Sequence, residues 1–112
     1  MAKVFSIFQF ELHPGVDDAE FEQFVSEEVY PVTVRPDLTL YVLKGERGER
    51  KGKYLCIFEF ASVEASVHYW PEEGVASEAG KAFTAPWMKK WGTLAQTTES
   101  GATFSGYVVV GQ

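Results

Sequence analysis

The strongest pattern in the chain is a stretch near its start, Val4 to Leu12, that alternates at period two. Val4, Ser6, Phe8, Phe10 and Leu12 fall on one side, and Phe5, Ile7, Gln9 and Glu11 on the other. A strand covered on one face alone alternates apolar with polar residues. Here the first half is apolar on both faces, so each face needs a cover. Helices of the same chain can supply one; the other points to a partner.

The rest of the chain divides by the same reading. His13-Pro14-Gly15 marks a turn, and Asp17 with Glu20 three residues later predicts a capping box, with Val16 and Phe21 as its hydrophobic staple. Phe21, Phe24, Val25, Val29 and Val32 then recur at helical spacing, with a kink expected at Pro31 and an end at Arg35-Pro36-Asp37. Leu38 to Leu43 reads as a second strand. The charged, glycine-punctuated run from Lys44 to Gly52 reads as a solvated hairpin loop, and Lys53 to Phe60 as a third strand. Tyr54, Cys56, Phe58 and Phe60 share one face of that strand; Leu55, Ile57 and Glu59 share the other.

Ser62 is placed to cap a short helix, Val63 to Trp70, which Pro71 stops; Val63, Val67 and Trp70 form its apolar side. A looser stretch leads into one helical segment whose Phe83, Trp87 and Trp91 make a stripe at spacing four, with Leu94 beside it. Thr103 to Val110 is predicted as a last strand, apolar on both faces. The order β-α-β-β-α-β is the ferredoxin-like pattern of an α+β domain, with the first and third strands central and both helices on one face. Its other face would carry Phe5, Ile7, Leu55, Ile57, Tyr107 and Val109, which a second copy of the chain would cover.

Composition narrows the function classes. The 112 residues suffice for a single domain, 1–112. A net charge of −6 argues against nucleic acid and anionic membrane surfaces as partners. No apolar run is long enough to span a bilayer, and the start of the chain lacks a signal-peptide pattern. The single cysteine, Cys56, fits a cytoplasmic location and sits in an apolar strand, where a buried, inert thiol is expected. Two distant histidines and one cysteine make no metal-ligand set by spacing, and no phosphate-binding glycine loop or serine nucleophile motif occurs. No cofactor is therefore expected.

Three stretches carry a family resemblance: Phe10-Glu11-Leu12-His13-Pro14-Gly15 before the acidic helix start, Phe58-Glu59-Phe60-Ala61-Ser62 before the second helix, and Ser77-Glu78-Ala79-Gly80-Lys81-Ala82-Phe83. With the element order, they resemble the dimeric α/β-barrel proteins, in particular antibiotic-biosynthesis-monooxygenase-like members. The resemblance implies a homodimer joined through its sheet faces, with a pocket between sheet and helices. It also implies, as one activity among several in that superfamily, cofactor-independent oxygenation of aromatic or polyketide-like compounds. A non-catalytic ligand-binding or structural homodimer is the alternative. The axial histidine of haem-degrading members and the histidines of the cyclases have no counterpart in the corresponding stretches.

The candidate residues each have two readings. Glu28 falls inside the apolar arc of the first helix, where desolvation would suit it to general acid–base work; otherwise it reaches water or pairs with Arg35. His68 follows Glu64 by four residues, as an exposed pair or as an acid–base group near neutrality. By the resemblance, Tyr69 occupies a position of pocket aromatics, where its phenol would steady a substrate anion or be satisfied within the packing. Phe8, Phe10, Phe24, Trp70, Phe83 and Trp87 are the expected walls of a substrate pocket. Gln9 and Glu59 point to the partner side and need polar partners, with each other as one option.

Overall fold

The computed structural model describes residues 2–112. Four antiparallel strands, β1 (Val4–Phe10), β2 (Leu38–Lys44), β3 (Tyr54–Phe60) and β4 (Thr103–Val108), form one sheet in the order β2-β3-β1-β4. Register fixes the faces. Val4, Ser6, Phe8 and Phe10 stand opposite Phe60, Phe58, Cys56 and Tyr54 of β3, and this side meets the helices. Phe5, Ile7 and Gln9 share the reverse face with Glu59, Ile57 and Leu55. On that face Tyr41, Ile57 and Ile7 make a row across three strands.

β1 is shorter than its alternation suggested. Beyond Phe10 the chain leaves the sheet and pairs with the segment after the last helix. The Glu11 carbonyl accepts from the Gln96 N–H at 2.9 Å, and Leu12 bridges to Ala95. β4 likewise ends at Val108, although the Val109 N–H still donates to the Lys3 carbonyl at 2.9 Å.

The first helical region is not one helix. α1 (Asp18–Phe24) runs into a π-helical turn, Val25–Val29, and then a 3₁₀ turn, Tyr30–Val32, that contains Pro31. The missing N–H of Pro31 fits that loosening and tightening of the backbone. Asp17 holds the cap position without a side-chain bond to the helix, so the predicted capping box does not form. Phe21, Phe24, Val25 and Val29 are buried as the periodicity required. Tyr30 lies where this segment meets β2, and its phenol accepts from the Val42 N–H at 2.9 Å and donates to the Val42 carbonyl at 3.3 Å. That bond pair occupies the outer edge of β2, an edge otherwise open to pairing.

α2 (Val63–Tyr69) begins at Ser62, whose hydroxyl accepts from the Ala65 N–H at 3.0 Å. Its buried face is Ala65 and Tyr69, while Val63 and Val67 are each 50% exposed, the reverse of the expected assignment. The predicted single helix beyond residue 77 is two, α3 (Glu78–Thr84) and α4 (Met88–Leu94), separated at Ala85-Pro86-Trp87. Proline cannot continue the hydrogen-bond ladder, and the two pieces separate there. The aromatic stripe survives the break, with Phe83, Trp87 and Trp91 all buried. Indole N–H groups are satisfied inside: Trp87 donates to the Phe83 carbonyl at 2.8 Å and Trp91 to the Gln96 carbonyl at 3.2 Å.

Gly80 sets the spacing of α3 against α2. A Cβ at this position would lie 2.3 Å from the Tyr69 carbonyl oxygen, which is impossible without moving backbone. Gly80→Ala is expected to lower stability by about 1–3 kcal/mol through this overpacking. Urea unfolding, followed by circular dichroism, measures the change.

Candidate functional site

The helices cover the sheet unevenly. They bury β2, β3 and the Phe10 end of β1, while every residue of β4 remains exposed. On the helix side of the uncovered half, small residues stand where large ones would fill the space: Ser6 on β1 lies opposite Gly106 on β4. A cleft of about 790 Å³ opens there, floored by Ser6, Phe8, Phe58 and Phe104 and walled by Trp70, Thr84 and Met88. A second lobe of about 490 Å³ continues from it past Phe10, Trp87, Trp91 and Cys56 toward Gln96 and Thr98. The two share Phe8, Phe58, Met88 and Thr98, so they form one continuous depression between sheet and helices.

Its floor is largely aromatic. Phe8 packs against Phe58 and Phe104 with ring centroids 5.4 and 5.2 Å apart, and Phe58 meets Trp70 at 5.5 Å. The loop between α2 and α3 borders the larger lobe. A tight turn closed by the Val75 N–H on the Glu72 carbonyl, 3.0 Å, places Glu72 and Glu73 along the cleft. Gly74 takes a φ of +76° in that turn, a conformation that favours glycine.

Of the residues expected to line a pocket, Phe8 and Trp70 border the larger lobe, and Phe10 and Trp87 the smaller. Phe24 and Phe83 border neither; they are buried in the core beneath the helices. Burial of Phe83 follows from its contacts with Phe58 and Tyr69 on one side and Trp87 on the other.

The three acid–base candidates lie outside the cleft. Glu28 is not desolvated: its side chain is 48% exposed and pairs with Lys90 of α4 at 2.5 Å, rather than with Arg35. The π-helical turn explains this, because it rotates Glu28 out of the arc that a regular 3.6-residue helix would have given it. His68 is exposed at the end of α2, its ring against that of Tyr69 at 5.0 Å. Tyr69 is buried, and its hydroxyl donates to Asp37 Oδ1 at 2.7 Å, tying α2 to the chain before β2. Burial and the neighbouring Asp37 carboxylate push this phenol up to about 12.

His13 is half-buried, its Nε2 2.9 Å from the Gly92 carbonyl. Glu59 pairs with Lys3 at 2.8 Å, not with Gln9. Cys56 is buried, and desolvation pushes its thiol far above the ordinary range, which leaves it unreactive. Among the described residues, no group of three or more His, Cys, Asp or Glu side chains could hold a metal ion, and no helix is long and apolar enough to cross a membrane. Sequence reasoning missed Met88, Phe104, Glu72 and Glu73 on the cleft. Only the small residues Ser6 and Gly106, amid otherwise large strand positions, could have signalled it. No protein-family model and no curated protein matches this chain.

The Tyr69 bond has a pH signature. A phenol whose pKa is raised on folding contributes stability that is complete below its ordinary value of 10.0 and is lost as pH rises through about 12. Tyr69→Phe should lack that segment of alkaline destabilisation, as read from urea midpoints at pH 9 to 12. Equal alkaline losses in both proteins would contradict the assignment.

Proposed function

We propose that the chain forms a homodimer that binds a hydrophobic or aromatic small molecule in the cleft of each subunit. The cleft itself carries the reading: a concave, largely aromatic space of ligand size, left open between sheet and helices. The strand order and the helices on one side of the sheet support a ferredoxin-like arrangement. With the resemblance read from the sequence, they also support a dimeric α/β barrel related to the antibiotic-biosynthesis-monooxygenase-like proteins.

The dimer rests on the reverse face of the sheet. Phe5, Ile7, Leu55 and Ile57 are half-buried there, and Tyr41, Leu43 and Tyr107 are exposed. A second copy, related by a two-fold axis, would bury this self-complementary apolar surface. Ile7→Asp, at its centre, should convert the dimer to a monomer in sedimentation velocity, while Phe8→Ala on the opposite face of the same strand should leave the dimer intact and enlarge the cleft. A wild-type monomer would rule the dimer out.

Binding, rather than catalysis, is the reading that the geometry favours. Cofactor-independent oxygenation needs a desolvated base beside the substrate; Glu28 and His68 do not border the cleft, and the carboxylates that do, Glu72, Glu73 and Glu99, are exposed to water. The Tyr69 hydroxyl is engaged with Asp37. Titration with naphthalene-sized aromatics should change tryptophan emission, because Trp70, Trp87 and Trp91 border the two lobes, and should raise the melting temperature. Unchanged emission and melting across the series would overturn the binding reading. Oxygen uptake with anthrol-like phenols in metal-free buffer, at a rate unaffected by Phe8→Ala, would reinstate catalysis elsewhere on the molecule.

A further inference from the structure

The charged residues around the cleft are of one sign. Glu72 and Glu73 border the larger lobe and Glu99 the smaller, and no lysine, arginine or histidine among the described residues borders either lobe. The described ion pairs engage other carboxylates, those of Asp18, Glu22, Glu28, Glu46, Glu59 and Glu78. Resting on the binding reading above, we propose that the ligand is an organic cation: an aromatic or aliphatic body carrying a protonated or quaternary amine.

Two features of the site select that chemistry together. The apolar body fits over Phe8, Phe58 and Phe104, and the amine lies toward the loop that carries Glu72 and Glu73. An ammonium there gains both from the carboxylates and from aromatic faces such as Trp70. An anionic ligand of the same shape keeps the apolar contact but is repelled by these carboxylates, and a phenolate formed in the cleft would be repelled too. The same charge pattern therefore also weighs against oxygenation through a phenolate.

The test compares 2-naphthylmethylamine, protonated at neutral pH, with uncharged 2-naphthylmethanol and anionic 2-naphthoate by calorimetry. The amine is expected to bind about tenfold more tightly than the alcohol at low salt, a preference that shrinks as salt screens it. The double substitution Glu72→Gln/Glu73→Gln should abolish the preference and leave alcohol binding unchanged. Both side chains are exposed, so the fold should tolerate the change. Glu49→Gln, another exposed position, on the β2–β3 hairpin, should keep the preference and so separate a local effect from net charge. Equal binding of the three probes, or a preference that survives the double substitution, would overturn the cation assignment while leaving the cleft as a binding site. Failure of all three to bind would overturn both.

Discussion

The pairing of β1 between β3 and β4 is the constraint on which the rest depends. Both edges of this strand are hydrogen-bonded and much of both faces is apolar, so the chain must find cover above and below it. Above, α1 and α4 bury Phe10 in a cluster with Phe21, Tyr54 and Trp91. That cluster holds one end of the strand firmly. At the other end the same face passes Ser6 and Gly106, the helices stop short of β4, and the floor of the cleft is what remains.

Core and cleft are thus two outcomes of one helix layer. Trp87 and Trp91 belong to both: they fill the core with indoles that are internally hydrogen-bonded, and their edges border the smaller lobe. Packing of this density positions walls rigidly, since shifting one ring disturbs several neighbours. The loop between α2 and α3 is held from two sides. Gly80 permits the close approach of α3 to the Tyr69 carbonyl, and the Ser77 hydroxyl donates to the His68 carbonyl at 2.6 Å. Glu72 and Glu73 are presented to the cleft from that framework.

Much of the architecture was legible because it follows from periodicity. The alternation in β1 and β3 assigned the faces of Phe8, Phe10, Phe58 and Ile57 correctly, and the spacing of Phe83, Trp87 and Trp91 assigned their burial. Errors arose where local geometry departs from ideal repeats. The π-helical turn at Val25–Val29 moved Glu28 to the surface, and Pro86 divided a helix whose apolar stripe looked continuous. In α2 the buried face is defined by Ala65, a small residue that carries little weight in a hydrophobic pattern. The cleft was least legible, because it arises from absent bulk at Ser6 and Gly106 and from a loop with no periodicity.

Ligand binding in the cleft is the central claim, and Met88, which borders both lobes, reports on that space directly. The sequence holds two methionines, so a spectrum of ¹³C-methyl-labelled methionine is simple, and Met88→Leu assigns its signal. Titration with 2-naphthylmethylamine should shift the Met88 methyl resonance progressively and give nuclear Overhauser contacts to the naphthalene ring. Saturable binding with the Met88 signal unmoved would place the ligand elsewhere and contradict that claim.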